Sequence, residues 1–248
     1  MSIDRGLLER SVSVKGPVGA PPAVLVHGVH LGRYSWTPHV ELLTKSFRVA
    51  TIDLPRHGTL HGVAFTREHL TQQLQYVIED VLGEPALLVG YSLGGYVITQ
   101  FSQAFPSSSK GLILAGCSLD PTDWRRSLYG AAIDITEHVP RPFFNMSSNL
   151  FFRLTLEPQL AQAIISNPFD SRVFREAHEV FDNKHFSRML ENYPDKILFV
   201  NGEYDAVFRP QTARFARASS AQTRIVSGTD HVFPLRRPAE FCKIISEF

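Results

Sequence analysis

The sequence lacks the features that define several protein classes. Only two of its 248 residues are cysteine, Cys117 and Cys242, which excludes a disulfide-stapled scaffold and permits a reducing compartment. Lys and Arg number 25 against 24 Asp and Glu, and this near-neutral charge argues against a nucleic-acid-binding module. No signal-like segment precedes the first predicted strand, and no apolar run has the length of a membrane span. We therefore expect a soluble, cytoplasmic protein with no nucleic-acid partner and no membrane span.

Metal and nucleotide motifs are also missing. The sequence has no H-E-x-x-H, no cysteine pairs of zinc-site spacing and no G-x-x-x-x-G-K-[ST] loop. His27 with His30, and His57 with His61, are conceivable ligand pairs, but we interpret them as loop histidines near the mouth of a site. We therefore predict no metal and no cofactor.

The composition is that of a globular protein large enough to bury its own core. Hydrophobic residues make up 44% of the chain and charged residues 20%, which excludes intrinsic disorder. The length fits one large domain without disulfide or metal staples.

Short apolar strands alternate with helical patterns along the chain. Uninterrupted apolar runs predict strands at 23–26, 47–52, 86–89, 111–115, 197–200 and 223–226. Apolar residues spaced by three and four predict helices at 67–82, 94–105 and 238–248. Runs that are apolar throughout are typical of strands covered on both faces. The predicted fold class is α/β, with a mostly parallel central sheet and helices on both faces.

The region from 118 to 194 interrupts this alternation. It has no convincing strand but many phenylalanines, and Phe174 and Phe181 lie at helical spacing. We expect a helical insert that covers one end of the sheet. Most of its aromatic side chains should form a small core of their own, and some should line a substrate pocket. The candidates for the pocket are Trp124, Phe143, Phe144 and Phe151.

A candidate nucleophile lies between a predicted strand and a predicted helix. Gly90-Tyr91-Ser92-Leu93-Gly94 matches G-x-S-x-G in the strand–turn–helix setting that this motif requires. The sharp turn presents the serine hydroxyl at the end of the sheet, and the helix N-terminus favours a developing negative charge. We predict Ser92 as the nucleophile.

A serine hydroxyl needs a base, and the base needs an acid that orients it. His231 lies between the last predicted strand and the last predicted helix, and Asp205 follows the strand at 197–200. The order Ser92, Asp205, His231 is that of one hydrolase fold and differs from the orders of other serine proteases. Asp120, which follows the strand at 111–115, is the rival acid, although the later strand is the usual place.

Taken together, these motifs resemble the α/β-hydrolase superfamily over nearly the whole chain. Two further motifs carry the resemblance, namely His27-Gly28-Val29-His30 with Trp36 shortly beyond it, and Asp53-Leu54-Pro55-Arg56-His57-Gly58. Arg56 stands where a glycine is common in that family. The nucleophile is a serine rather than an aspartate, which argues against epoxide hydrolases and haloalkane dehalogenases. The short region before Ala23 predicts that the usual leading hairpin is reduced.

The resemblance implies further roles for this chain. It implies an α/β-hydrolase core formed by 1–117 and 195–248, with a helical cap formed by 118–194. It also implies an oxyanion hole made by the backbone N–H groups of Val29 and Leu93. Beside these groups we place His30, Tyr91 and Val207 among the substrate-binding residues.

The predicted function is a serine hydrolase that cleaves an ester or thioester of a largely apolar small molecule. Two alternatives stay open on the sequence alone. One is a carbon–carbon bond hydrolase or cofactor-free lyase with the same three residues, and the other is a small-molecule receptor with little turnover. Fold does not choose among them, and the oligomeric state and substrate are not readable from the sequence.

Overall fold

The computed structural model describes residues 2–119, 141–182 and 184–248, and within these ranges the side chains of residues 141, 142 and 144 are not described. The described strands are β1 Val12–Lys15, β2 Pro22–Val26, β3 Arg48–Ile52, β4 Ala86–Tyr91, β5 Ser109–Ala115, β6 Ile197–Gly202 and β7 Gln222–Val226. They form one sheet in the order β1-β3-β2-β4-β5-β6-β7. Trp124, Asp120 and the other residues between 119 and 141 lie outside the described residues.

The sheet is parallel apart from its first strand. β2 through β7 pair in parallel, whereas β1 runs antiparallel to β3, with Val12 opposite Ile52. All of the predicted strands are present, and the predicted fold class is confirmed. β1 was not predicted, because its four residues alternate apolar and polar and none is buried. It pairs with β3 rather than with β2, so a single strand stands where a leading hairpin was expected in reduced form.

Helices connect the strands. The described helices are α1 Arg5–Arg10, α2 Thr37–Leu43, α3 Arg67–Gln75, α4 Leu93–Ala104, α5 Arg141–Thr155, α6 Pro158–Ile165, α7 Val173–Phe181, α8 Phe186–Met189, α9 Thr212–Ser219, α10 Phe233–Arg236 and α11 Pro238–Glu247. A π-helix, Tyr76–Leu82, continues α3, so the predicted helix at 67–82 is present as two consecutive geometries. Thr66 caps its start by accepting the His69 N–H, and Gly83 ends it in the left-handed conformation that glycine favours.

The sheet separates two apolar layers, as the uninterrupted strand patterns predict. Val24 and Val26 of β2 pack in the layer that contains α3 and α4, and Leu25 between them packs in the layer that contains α2 and α11. All three side chains are buried. Burial on both faces is what a run of consecutive apolar residues requires.

The segment after residue 140 is helical, and the loop between α6 and α7 lies on the loop after β3. The backbone of Phe169 forms a bridge with that of His57, and the Gly58 N–H donates to the Pro168 carbonyl at 2.7 Å. Nearby, the Arg56 guanidinium donates two hydrogen bonds to the Glu176 carboxylate, of 2.6 and 2.9 Å. These contacts hold the segment against the loop that follows β3. No helix in the described ranges is both long and apolar enough to cross a membrane.

The pair of buried Arg56 and partly buried Glu176 should contribute measurably to stability. Replacing Glu176 with Gln removes a charged acceptor from a nearly buried guanidinium, and we expect the free energy of unfolding to fall by about 3 kcal/mol. Chemical denaturation at neutral pH measures this loss. Glu179→Gln is the matched control, because its pair with Arg175 on the same helix is exposed and should contribute less than about 1 kcal/mol.

The contribution of Glu176 should also depend on pH. Burial raises its pKa, but hydrogen bonds from Arg56 and from the Phe65 N–H outweigh burial, so the pKa lies below its ordinary value. A carboxyl with a lowered pKa stabilises the folded state above its unfolded pKa, and this contribution is lost as pH falls through the folded pKa. The difference in stability between wild type and Glu176→Gln should therefore shrink in acid. An equal difference at neutral and acid pH would contradict the assignment.

Candidate active site

Ser92 sits in a strained turn between β4 and α4. Its backbone has φ 51° and ψ −116°, a combination that residues other than glycine rarely adopt. The Ser92 N–H donates to the Ala115 carbonyl at 2.8 Å, and the Ser92 carbonyl accepts from the Gly95 N–H at 2.9 Å. A Cβ on Gly94 would lie 2.2 Å from the carbonyl oxygen of Val26, so the turn requires glycine at that position. The turn is therefore held by its two neighbouring strands and by close packing.

Three polar side chains meet at this turn. His231 Nε2 lies 3.3 Å from Ser92 Oγ, and His231 Nδ1 lies 2.8 Å from Asp205 Oδ2. Asp205 follows β6 and His231 follows β7, so the parallel sheet brings both loops to the edge where β4 ends. The geometry matches the serine–histidine–carboxylate arrangement that activates a hydroxyl. The catalytic role of these residues stays a prediction.

The carboxylate of Asp205 is buried and fully engaged. Its Oδ1 accepts the N–H groups of Val207 at 3.2 Å and Phe208 at 3.0 Å, and its Oδ2 faces His231. Burial by itself raises the pKa of Asp205, but the hydrogen bond and charge of His231 and the two backbone N–H groups outweigh it. The net pKa lies below the ordinary value, so this buried group is ionised at neutral pH.

Aromatic rings flank the imidazole of His231. Phe208 stacks on it with ring centres 4.7 Å apart and planes within 20°, and Tyr91 lies 5.3 Å away at a tilt. Both aromatic side chains are buried, whereas His231 stays partly accessible. The stacking restricts the imidazole to the orientation in which it reaches both Ser92 and Asp205.

The loop after β2 lies directly beside the serine. A Cβ on Gly28 would lie 3.2 Å from Ser92 Cβ, so the two loops approach each other closely and a larger residue at position 28 would crowd the serine. Val29 is the next residue. Leu93 begins α4, and the first N–H groups of a helix have no partner within it. The two predicted oxyanion donors therefore belong to backbone segments next to Ser92, and their role stays a prediction.

His27 and His57 are buried behind this loop rather than exposed at its mouth. His27 Nδ1 lies 2.7 Å from the Gly28 carbonyl, and His27 Nε2 accepts the Leu54 N–H at 3.0 Å. Burial lowers the pKa of His27 to about 4, despite the opposing effect of the Gly28 carbonyl. The interpretation of these two as histidines at a site mouth is wrong, because neither ring is accessible. No group of three or more His, Cys, Asp or Glu among the described residues could hold a metal ion.

Residues 23–244 match the model of the alpha/beta hydrolase family. The chain belongs to this family. The prediction that it is an enzyme of this kind, and the resemblance noted from its motifs, are confirmed.

This alpha/beta hydrolase is similar in sequence or in fold to proteins from several organisms. It is 28% identical over 109 residues to a pimeloyl-[acyl-carrier protein] methyl ester esterase of Wigglesworthia glossinidia brevipalpis, an alignment that spans 43% of the chain and 41% of that relative. It is 22% identical over 238 residues to carboxylesterase YbfK of Bacillus subtilis, spanning 92% and 79%. MenH from S. aureus is similar in fold, with a TM-score of 0.79, 20% identity and coverage of 96% and 97%.

The predicted pocket residues of this alpha/beta hydrolase differ in their exposure and in the groups that they contact. His30 stacks on Phe169 with ring centres 4.2 Å apart, and Phe152 meets its edge at 5.5 Å. Phe143 and Phe151 on α5 are 61% and 43% exposed. Trp124 and the side chain of Phe144 lie outside the described residues. Val207 binds Asp205 through its backbone, and Tyr91 lies beside His231. A substrate-binding role for these residues stays a prediction.

Three aromatic residues at the site were not singled out from the sequence. Phe208 contacts His231, while Phe152 and Phe169 contact His30. Phe208 lies three residues after Asp205, and its N–H donates to that carboxylate. This short spacing was the signal that the sequence offered. Phe152 and Phe169 were counted only as part of an aromatic-rich segment, and nothing in their spacing indicated a contact with the loop after β2.

Asp205 should be required for activity, and Asp120 should not. Asp205→Asn preserves shape but removes the charge that orients His231, and we expect kcat to fall by about 10⁴-fold. Steady-state kinetics on an activated ester measures this. Asp120→Asn is the matched control and should keep activity within about threefold. The reverse pattern would assign the acid to Asp120.

Proposed function

We propose that this alpha/beta hydrolase cleaves carboxylic esters or thioesters of largely apolar small molecules through an acyl-enzyme on Ser92. The observation that carries the proposal is the continuous contact from Ser92 Oγ to His231 Nε2 at 3.3 Å and from His231 Nδ1 to Asp205 Oδ2 at 2.8 Å. A serine in this arrangement is an activated nucleophile.

In the first step His231 acts as general base. Asp205 is ionised and accepts a hydrogen bond from the Nδ1–H of His231, so the lone pair of the imidazole is on Nε2, facing Ser92. As Ser92 Oγ attacks the substrate carbonyl carbon, its proton passes to Nε2 and the carbonyl electron pair passes to oxygen. The ionised Asp205 stabilises the imidazolium that results.

The N–H groups of Val29 and Leu93 stabilise the oxygen anion that forms in this step. Two observations support this role: Gly28, which precedes Val29, approaches the serine closely, and Leu93 opens α4. Each donor of this kind is worth about 3–4 kcal/mol of transition-state stabilisation. The tetrahedral species then collapses, the alkoxide or thiolate leaves with the proton of His231, and Ser92 remains as an acyl ester.

Water completes the cycle. His231 removes a proton from a water molecule, the hydroxide attacks the acyl carbon, and Ser92 leaves with the proton held on Nε2. The products are a carboxylic acid and an alcohol or thiol. The partial exposure of His231, at 31% of its side chain, leaves the imidazole open to water and to substrate.

Aromatic side chains around the site support an apolar substrate portion. Tyr91 and Phe208 flank His231, and Phe152 and Phe169 surround His30 beside the loop of Val29. Such surroundings favour apolar groups over charged ones. The relatives from Wigglesworthia and Bacillus are a methyl ester esterase and a carboxylesterase, which supports carboxylic ester chemistry.

Removing the nucleophile should abolish turnover. Ser92→Ala is expected to lower kcat for a p-nitrophenyl ester by roughly 10⁶-fold, because no acyl-enzyme forms. Spectrophotometric release of p-nitrophenol measures this loss. Ser107→Ala, at an exposed serine just beyond the C-terminal end of α4, is the control and should match wild type.

A substrate panel separates the competing activities. Wild type should cleave p-nitrophenyl esters and thioesters with kcat/KM that rises with acyl length over short to medium chains. Turnover of a carbon–carbon substrate in place of esters would favour the hydrolase or lyase alternative. One slow labelling event per molecule without turnover would favour a receptor.

A further inference from the structure

Two buried imidazoles lie behind the loop of Val29, outside the set formed by Ser92, His231 and Asp205. His27 and His57 are inaccessible, and their rings meet edge to face with centres 4.8 Å apart. Each ring has both nitrogens within hydrogen-bond distance of backbone groups. The chemistry of the proposed ester hydrolysis does not use them, so their contacts require another explanation.

The tautomer of His27 follows from its partners. The Leu54 N–H can only donate, so His27 Nε2, 3.0 Å away, carries a lone pair. The proton is therefore on Nδ1, which donates to the Gly28 carbonyl at 2.7 Å. The same reasoning applies to His57, whose Nε2 accepts the His30 N–H at 3.2 Å and whose Nδ1 donates to the Pro55 carbonyl at 2.9 Å.

The bond from His27 to the Gly28 carbonyl and the bond from the His30 N–H to His57 fix the two peptide planes that flank Val29. The Gly28 carbonyl belongs to the same planar unit as the Val29 N–H, and in a trans peptide the two point in opposite directions. The bond from His27 to that carbonyl therefore sets the direction of the Val29 N–H. The His30 N–H belongs to the following unit, which His57 holds. His30 has φ 62°, so this second bond also maintains an unfavourable backbone conformation.

We propose that His27 and His57 are positioning residues that orient the Val29 N–H as an oxyanion donor. His27 holds the Gly28–Val29 peptide by its carbonyl, and His57 holds the Val29–His30 peptide by its N–H. Both rings are anchored to the loop after β3, through Leu54 and Pro55. The loop after β3 thus serves as the rigid support for the oxyanion loop. The inference rests on the proposed function.

The test compares variants that keep ring volume with variants that keep hydrogen bonding. His27→Phe and His57→Phe remove the bonds, whereas His57→Gln retains an acceptor for the His30 N–H. His61→Phe is the control, because His61 is an exposed histidine of the same loop. We expect kcat/KM to fall about 10- to 100-fold in His27→Phe and His57→Phe, since a displaced donor loses most of its effect. KM should change less than about threefold, and His57→Gln should recover most of the loss.

A transition-state mimic distinguishes positioning from a general loss of structure. A trifluoromethyl ketone adds reversibly to the serine Oγ and places an oxygen anion where the ester would. Its Ki should rise in proportion to the fall in kcat/KM. The concentration of active sites used to calculate kcat is measured by titration with a fluorophosphonate. Variants that merely fold poorly would lose active sites while the remaining sites kept wild-type Ki and kcat, and this result would overturn the inference.

The outcomes also separate this inference from the proposed function. Absence of ester turnover and of ketone binding in wild type would contradict the proposed function and the inference with it. Normal wild-type activity together with unchanged Ki in His27→Phe and His57→Phe would overturn the inference alone.

Discussion

The hydrogen bond of 2.8 Å between Asp205 and His231 joins the loops after two adjacent parallel strands, β6 and β7. It fixes the proton of the imidazole on Nδ1, because the ionised carboxylate can only accept. The remaining lone pair then points to Ser92 on the loop after β4. The parallel sheet makes this convergence possible, since the carboxyl ends of its strands share one edge. Burial of Asp205 protects the bond from competing water.

A second constraint lies in the backbone around Ser92. Its backbone conformation, with a positive φ, is unfavourable for serine and persists because neighbouring elements determine it. Gly94 packs against the end of β2, and Gly28 packs against the serine itself, so the nucleophile and the oxyanion loop are placed with respect to each other by contact. Two apolar layers on the two faces of the sheet supply the stability that supports this strain.

The sequence allowed the fold and three polar residues of the site to be predicted, but little of what supports them. Uninterrupted apolar runs identified the buried strands, and the G-x-S-x-G spacing placed Ser92 between β4 and α4. The bond of Arg56 with Glu176 joins residues 120 positions apart, and no local pattern indicates it. The bonds of His27 with Leu54 and of His30 with His57 are likewise nonlocal. β1 was missed because its residues are only partly buried.

Covalent labelling shows whether Ser92 is an activated nucleophile. Wild-type protein is treated with a fluorophosphonate probe, digested and analysed by peptide mass spectrometry. We expect a single adduct on Ser92, formed much more slowly when Asp205 is replaced by Asn. Absence of an adduct under conditions that label a known serine hydrolase, or an adduct on a different residue, would show that Ser92 is not the nucleophile.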